Sequence, residues 1–264
     1  MIETFTDYEN SIINKYTRFN KGIPQSFNDE EIIFLNDGYV NLDDNELPLA
    51  VTEFNPGTKY AAWQYQALLY KKVLDVIHVD FNTPVNSLLD VSCGIGGGLS
   101  FYRDFYNIKN LFGIDLNPLH IALCRKKVAD VSFINASATN LPLQDNSISI
   151  ITSVEACSYY DPFDSFIKET FRVLEPGGSL IIASPWLLAL ADYFPNFIKH
   201  GFVMSGWQNI NKNVRTALAI NKYAIQKIDR NNIIVPRMIA DEQRYLHEGA
   251  SYFIVSLKKP EGKK

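Results

Sequence analysis

The sequence predicts an α/β fold in which a doubly wound, mostly parallel sheet of seven strands is covered by helices on both faces. Short apolar runs alternate with helical stretches over residues 87–183, which is the pattern of strand–helix–strand units. One apolar run ends in a glycine cluster at residues 94–98, and such a turn between a strand and a helix is a common ligand site. The chain of 264 residues, 47% of them hydrophobic, is long enough to bury one large core.

Residues 1–80 are predicted to form a helical N-terminal extension of a single domain that covers residues 1–264. Residues 30–39 have the pattern of a short helix that ends in a turn at Asp37-Gly38. Residues 60–79 carry apolar side chains at nearly helical spacing, which predicts an amphipathic helix leading into the sheet.

The strands and crossover helices follow in order along the chain. The first five strands are predicted at residues 88–91, 111–114, 131–134, 148–152 and 180–183. The crossover helices are predicted at residues 99–106, 118–128 and 162–173. The last two strands are predicted at residues 232–239 and 251–258, joined by residues 241–247.

Residues 185–230 are predicted to be a helical insertion after the fifth strand. Aromatic residues, among them Trp186 and Trp207, punctuate this segment. A segment at the carboxyl ends of the strands is well placed to cover a ligand as a lid. Ordinary surface helices are an equally good interpretation of the same pattern.

Asp115 ends the second predicted strand, roughly 20 residues beyond the first glycines, as in doubly wound nucleotide-binding folds. A carboxylate at that place accepts hydrogen bonds from the two ribose hydroxyls of a nucleoside. The dinucleotide fingerprint GxGxxG is not met, because Leu99 stands where its third glycine belongs. The sequence therefore favours adenosine over a dinucleotide, and a glycine-rich turn without a ligand is the structural alternative.

Composition favours a small-molecule partner. The net charge of −4 argues against a broad nucleic-acid surface. No apolar stretch reaches the roughly 18 residues of a membrane span, and the first residues do not resemble a signal peptide, so we expect a cytoplasmic protein without stable membrane insertion. The three cysteines and four histidines are scattered, which predicts no metal site. A homodimer is compatible with these features.

Four motifs occur in an order that resembles the class I methyltransferases that use S-adenosylmethionine. They are the glycine cluster, Asp115, the Leu-Pro pair at 141–142 and the Pro-Gly-Gly turn at 176–178. The likeness is closer to the phthiotriol/phenolphthiotriol dimycocerosates methyltransferase family. The motifs that carry it lie at residues 28–36, 91–94, 96–98, 113–117, 123–127, 154–156 and 244–249. This resemblance implies a Rossmann-like sheet, S-adenosyl-L-methionine as cofactor, and O-methylation of a hydroxyl on a polyketide- or lipid-like natural product.

The resemblance also implies a cofactor site on the loops that follow the first four strands. Its predicted residues are Ser92, Cys93, Gly94, Gly96, Asp115, Leu116, Asn117, Ser137, Ala138 and Ser153. The chain departs from the family at Ala136-Ser137-Ala138, where the usual pattern is Gly-Asp-Ala. The carboxylate that would hold the adenine amino group is therefore missing from this loop, and Ser137 is a weak substitute.

A second departure concerns the acceptor. Ser158 stands where the family pattern has a histidine, so the obvious general base is absent. The remaining candidates are Glu155, Asp161, His200 and His247, and we expect Glu155 or Tyr160 to lie near the acceptor in a catalytic role. Capping of the loop after the fourth strand is an equal alternative for Glu155. The predicted substrate-binding residues are Tyr39, Tyr159, Trp186 and Trp207.

The two departures support an alternative of another class. A methyltransferase-fold protein that has lost methyl transfer would serve as a binding or auxiliary module, or would catalyse a rearrangement or cyclisation. Nicotinamide-dependent oxidoreduction is disfavoured by the glycine spacing.

Overall fold

A computed structural model describes most of the chain. The continuous described ranges are residues 5–20, 34–52, 57–186, 192–226 and 250–262. Residues 54, 236, 238–240 and 243 are described between them.

The core is one sheet of seven strands in the order β3-β2-β1-β4-β5-β7-β6. The strands are β1 (Val85–Val91), β2 (Ile108–Asp115), β3 (Ser132–Asn135), β4 (Ile148–Val154), β5 (Leu174–Trp186), β6 (Val203–Asn209) and β7 (Ser251–Lys258). Neighbouring strands among β1–β5 pair in parallel, whereas β7 is antiparallel to both β5 and β6. The predicted α/β fold with a seven-stranded sheet is confirmed.

Helices connect and flank these strands. They are α1 (Asp7–Asn20), α2 (Gln64–Asp75), α3 (Gly97–Phe105), α4 (Pro118–Lys127), α5 (Phe163–Val173), α6 (Phe194–Lys199) and α7 (Asn211–Gln226). The three predicted crossover helices correspond to α3, α4 and α5. Each begins within two residues of its predicted start, because glycine or proline marks the preceding turn.

Both faces of the sheet are buried, since successive side chains along a strand point to opposite sides. On β1, Leu88 belongs to one apolar cluster with Leu69 of α2 and Leu99 of α3. Its neighbour Leu89 belongs to the other cluster with Phe166 of α5. This two-sided burial explains why the central strands are continuous apolar runs rather than alternating ones.

The predicted helical insertion at residues 185–230 is wrong in one respect, because it contains β6. This strand pairs with β7 at the edge of the sheet, and its side chains are largely exposed, including Val203, Met204 and Trp207. An exposed edge strand carries no apolar run, so the sequence pattern does not reveal it.

Two further predictions are corrected where the chain is described. Residues 232–239 were predicted as a strand, but Pro236 and residues 238–240 are helical. Residues 34–39 are not helical, because the N–H groups of Asp37 and Tyr39 bond to Glu155 and to the carbonyl of Tyr65 instead. The remainder of both segments, and most of 241–247, lies outside the described residues.

Candidate active site

The described residues form a cleft at the carboxyl ends of β1–β4. Parallel strands end at the same edge of the sheet, so the loops that follow them meet there. The cleft has a volume of about 1000 Å³, including space open to solvent. Side chains from α1 and from residues 34–36 also line it.

The glycine turn after β1 is built for close approach to a ligand. Gly94 and Gly96 have φ angles of 56° and 87°, which favour glycine. A Cβ atom on Gly98 would lie 2.1 Å from Cε1 of Tyr70, so the start of α3 is pressed against α2. Gly97 and Gly98 line the cleft at the first turn of α3, where backbone N–H groups lack helical partners. The turn therefore offers both space and hydrogen-bond donors.

Asp115 points toward this turn. Its Oδ2 atom accepts a 2.9 Å hydrogen bond from the N–H of Gly94, and its Oδ1 atom accepts a 2.8 Å bond from the N–H of Asn117. Nδ1 of His120 lies 2.9 Å from the same Oδ1 atom. Asp115 is 7% exposed and lines the cleft. Because a carboxylate oxygen accepts two hydrogen bonds, Oδ2 keeps capacity for a ligand hydroxyl.

The loop after β2 is held by Asn117. Its side-chain oxygen accepts a 2.9 Å bond from the N–H of Leu119 and so caps α4, which has proline in its first turn. Its amide group donates to Thr17 of α1 over 3.3 Å. Leu116 and Asn117 both line the cleft.

The loop after β3 meets a residue that the sequence analysis missed. Ser137 donates a hydrogen bond to Oε1 of Glu9, a residue of α1 that lies 128 positions earlier in the chain. Ser137, Ala138 and Glu9 all line the cleft. The available sequence signal is Thr6-x-x-Glu9, a capping box that predicts the start of α1 but not its position over the sheet.

Glu155 closes the end of β4. Its φ angle is 57°, and its Oε1 atom accepts hydrogen bonds from the N–H of Asp37 at 2.7 Å and the hydroxyl of Tyr252 at 3.0 Å. Glu155 lines the cleft. Its carboxylate thus fixes the segment around Asp37 to β4 and β7 while it faces the candidate acceptor space.

Tyr160 lies beneath the glycine turn. Its hydroxyl oxygen is 2.9 Å from Oγ of Ser153 and 3.1 Å from Oγ of Ser92. Burial raises the pKa of Tyr160 far above its ordinary value of 10, so the phenol is neutral at physiological pH. The hydroxyl therefore joins the ends of β1 and β4 as a hydrogen-bonding group.

Most of the predicted cofactor residues do come together. Those that line the cleft are Ser92, Cys93, Gly94, Asp115, Leu116, Asn117, Ser137 and Ala138. Gly96 and Ser153 are not among the lining residues: Gly96 packs on Cys124, and Ser153 is buried behind Tyr160.

The predicted substrate residues are divided. Tyr159 lines the cleft, where its ring makes an edge contact with Tyr16 of α1 at 5.8 Å. Tyr39 is buried away from the cleft, with Nζ of Lys72 5.8 Å from its ring. Trp207 is 55% exposed and packs on Phe253. The side chain of Trp186 lies outside the described residues.

The expected places of Tyr39 and Trp207 are therefore corrected. Trp207 belongs to β6 at the far edge of the sheet, which separates it from the loops after β1–β4. The described part of the predicted lid contributes no lining residue; instead α1 covers the cleft with Ile12, Ile13 and Tyr16.

The other acid and base candidates are also divided between the cleft and the rest of the protein. Asp161 lines the cleft, whereas Nε2 of His200 is 2.9 Å from Oδ1 of Asp164, outside it. His247 lies outside the described residues.

Within the described ranges, no group of three or more His, Cys, Asp or Glu side chains is arranged to hold a metal ion, and no helix is long and apolar enough to cross a membrane.

Residues 89–182, from β1 into β5, match the family described as "Methyltransferase domain". Over these residues, called the methyltransferase domain below, the chain is similar to that family. It contains the glycine turn, Asp115, Ser137 and Glu155.

Curated relatives resemble the methyltransferase domain and part of its flanks. The phthiotriol/phenolphthiotriol dimycocerosates methyltransferase of Mycobacterium leprae is 32% identical over 156 residues, which cover 58% of this chain and 54% of that protein. A fatty-acid O-methyltransferase of Mycolicibacterium smegmatis is 30% identical, with 62% and 60% covered. The chain thus spans little more than half the length of these relatives.

Solved structures share the fold around the methyltransferase domain. A (4+2) cyclase, SpnF, aligns with a TM-score of 0.73 at 20% identity, over 96% of this chain and 97% of that one. Geranyl diphosphate C-methyltransferase from Streptomyces coelicolor A3(2) aligns with a TM-score of 0.70 at 12% identity, over 97% of this chain and all of that one. The class I methyltransferase fold, with its Rossmann-like sheet, is confirmed.

Proposed function

We propose that the chain binds S-adenosyl-L-methionine in the cleft and methylates an oxygen atom of a hydrophobic, lipid-like small molecule. The observation that carries this proposal is the Asp115 carboxylate, which faces the Gly94 turn inside a methyltransferase domain. The curated relatives, named as methyltransferases of a dimycocerosate lipid and of fatty acids, support the class of acceptor.

The residues present fit the cofactor. Gly94 and Gly97 line the cleft without side chains, and the turn presents backbone donors to the cleft. Asp115 supplies a buried acceptor for a ribose hydroxyl. Apolar side chains, among them Ile12 and Leu35, line the remaining wall, which suits a lipid-like acceptor.

When bound, the cofactor supplies a methyl group activated by a positively charged sulfur. The protein then has to hold the acceptor oxygen in line with that methyl group, and such positioning is worth several kcal/mol. We propose that Asp115 orients the ribose while α1 excludes water with Ile12, Ile13 and Tyr16. Exclusion of water strengthens the electrostatic interactions inside the cleft.

An alcohol acceptor must also lose a proton. A general base contributes typically about 10² to 10⁴ in rate. We propose Glu155 for this role, because its carboxylate faces the cleft at the end of β4. Tyr160 is neutral and bonded to two serines, so we propose that it positions the turn instead of taking the proton.

A second candidate has a specific observation in its favour. The SpnF cyclase has the same fold, and Ser158 stands where the resemblance implies a histidine base. A protein that binds the acceptor and catalyses a cyclisation or rearrangement without methyl transfer is therefore the alternative.

The decisive experiment is titration calorimetry with S-adenosylhomocysteine. We expect binding to the wild-type protein and a loss of about 10-fold or more in Asp115→Ala, because the hydrogen bond from a ribose hydroxyl to a charged acceptor is removed. Asp44→Ala, an exposed acid outside the cleft, serves as the control. Absence of binding to the wild type, or undiminished binding by Asp115→Ala, would refute the cofactor site.

Acceptor assays separate the two candidate functions. Long-chain fatty acids and hydroxylated lipids are incubated with protein and S-adenosylmethionine, and the products are analysed by mass spectrometry. A methyl ester or ether formed with turnover supports the transferase. An isomerised or cyclised product without a methyl gain supports the alternative.

A further inference from the structure

We propose that Glu9 of α1 supplies the carboxylate that accepts a hydrogen bond from the adenine amino group of the cofactor. This inference rests on the proposed cofactor site and assigns a role to a residue outside the methyltransferase domain at 89–182. The juxtaposition that supports it is the hydrogen bond from Ser137, on the loop after β3, to the carboxylate of Glu9.

The order of the strands places the adenine base of the cofactor near Glu9 and Ser137. The glycine turn follows β1, Asp115 ends β2, and Ser137 follows β3, and these strands lie side by side. In an adenosyl group the adenine is attached to C1′ and the sulfur-bearing carbon to C4′, the two carbons that flank the ring oxygen, so the two groups extend away from each other. With the ribose at Asp115 and the sulfur toward the β1 turn and β4, the base therefore extends toward the loop after β3.

Glu9 has acceptor capacity left for a ligand. Its Oε1 atom accepts the Ser137 hydroxyl, and its Oε2 atom accepts a 2.8 Å bond from the N–H of Thr6. Each carboxylate oxygen can accept two hydrogen bonds. The residue is only 9% exposed and lines the cleft, and no basic side chain in the described ranges forms an ion pair with it. A buried carboxylate without a cation is stabilised by additional donors, and the adenine amino group is one.

Helix capping alone accounts for only part of this arrangement. The bond from Thr6 and the reciprocal 3.2 Å bond from the N–H of Glu9 to Oγ1 of Thr6 form a capping box. A capping box needs only Oε2 and is satisfied on an exposed helix end. It does not require Oε1 to contact a loop 128 positions away inside the cleft.

Ser137 is itself poorly placed to replace the missing carboxylate. Its hydroxyl proton is directed to Glu9, and its oxygen lies 2.8 Å from Oγ1 of Thr139 and 3.2 Å from the N–H of Thr139. The serine therefore orients the glutamate, and the longer side chain from α1 provides the charged acceptor. In this arrangement α1 both covers the cleft and recognises the base.

The test compares two nucleosides that differ at one group. S-Inosylhomocysteine carries a carbonyl oxygen in place of the adenine amino group of S-adenosylhomocysteine. We expect the wild-type protein to bind the adenosyl compound about 10-fold or more tightly by calorimetry, because the inosyl compound lacks the donor.

Glu9→Gln is the matched variant, since glutamine also serves in a capping box. We expect its preference for the adenosyl compound to fall to about 3-fold or less, because its amide also donates to the inosyl carbonyl. Asp7→Asn changes an exposed acid on the same helix and should keep the wild-type preference. Urea unfolding without nucleoside checks that each variant is folded.

The outcomes distinguish this inference from the proposed function. A wild-type protein that binds both nucleosides equally, or a Glu9→Gln variant that keeps the wild-type preference, overturns the role of Glu9 and leaves the cofactor site intact. A wild-type protein that binds neither nucleoside overturns both.

Discussion

The carboxylate of Asp115 and the backbone of Gly94 are joined by a 2.9 Å hydrogen bond. Their strands are paired in register, with Val91 opposite Ile114, so contacts within the protein hold the end of β2 against the turn after β1. A site that is ordered before binding loses less conformational entropy on binding. The acid predicted to bind ribose is thus already directed into the cleft.

The buried carboxyl of Asp90 predicts a pH-dependent stability. Asp90 is 1% exposed, and its Oδ2 atom has no hydrogen-bond partner among the described residues. Burial raises the pKa of Asp90 to about 7, with a smaller contribution from the charge of Asp115, whereas the hydrogen bond from Thr152 acts in the opposite direction.

Since the folded pKa is above the unfolded one, this group stabilises the fold fully below about pH 4. The contribution is lost as the pH rises through about 7. The pKa rises from 3.8 to about 7 and one pKa unit corresponds to about 1.4 kcal/mol, so we expect the free energy of unfolding to fall by about 4 kcal/mol. Urea unfolding of wild type and Asp90→Asn from acid to neutral pH measures it: the variant should lack this decline, and an identical pH dependence in both would contradict the prediction.

Gly98 predicts a steric effect at the start of α3. In Gly98→Ala the new methyl group would meet the ring of Tyr70 at 2.1 Å, and Tyr70 is buried between α2 and α3. We expect a loss of about 1–3 kcal/mol in the free energy of unfolding, as in other overpacked cores. Gly262→Ala has open space around its Cβ position and should be neutral; a neutral Gly98→Ala would argue against this packing.

We expect two substitutions of Glu155 to lower the free energy of unfolding by different amounts. Glu155→Ala leaves the N–H of Asp37 and the hydroxyl of Tyr252 without their observed acceptor. We therefore expect a loss of about 1–3 kcal/mol in the free energy of unfolding. Glu155→Gln keeps an oxygen acceptor and should lose less than half as much.

Measurements of activity test the proposed role of Glu155 as general base. If Glu155 is the base, Glu155→Gln lowers methyl transfer by about 10² or more while the affinity for S-adenosylhomocysteine stays within a few-fold. Equal activity in both proteins would assign Glu155 a positioning role alone.

We expect the phenol of Tyr160 not to ionise in the folded protein. Burial raises its pKa, so the ultraviolet difference spectrum between wild type and Tyr160→Phe should show no phenolate below about pH 10. The variant should lose about 1–2 kcal/mol of stability, because Ser92 and Ser153 lose a buried partner. Phenolate that appears near pH 9 only in the wild type would contradict this.

Local signals were sufficient for the central sheet and for most of the predicted cofactor residues that line the cleft. The strands β1–β5 are apolar runs between glycine or proline turns, and Asp115 follows from its distance to the glycine turn. These features depend on short stretches of chain, whose periodicity and backbone requirements can be recognised without knowing what lies against them.

Tertiary packing decided what covers the cleft and where its charged groups are held. No spacing in the sequence relates Glu9 to Ser137 or Glu155 to Tyr252, because these pairs are far apart in the chain and meet only when α1 and β7 pack on the sheet. In the same way β6 is a strand because β7 offers it hydrogen bonds, although its own side chains are exposed. Periodicity records which residues are buried, whereas contacts between distant segments depend on the complete packing of the chain.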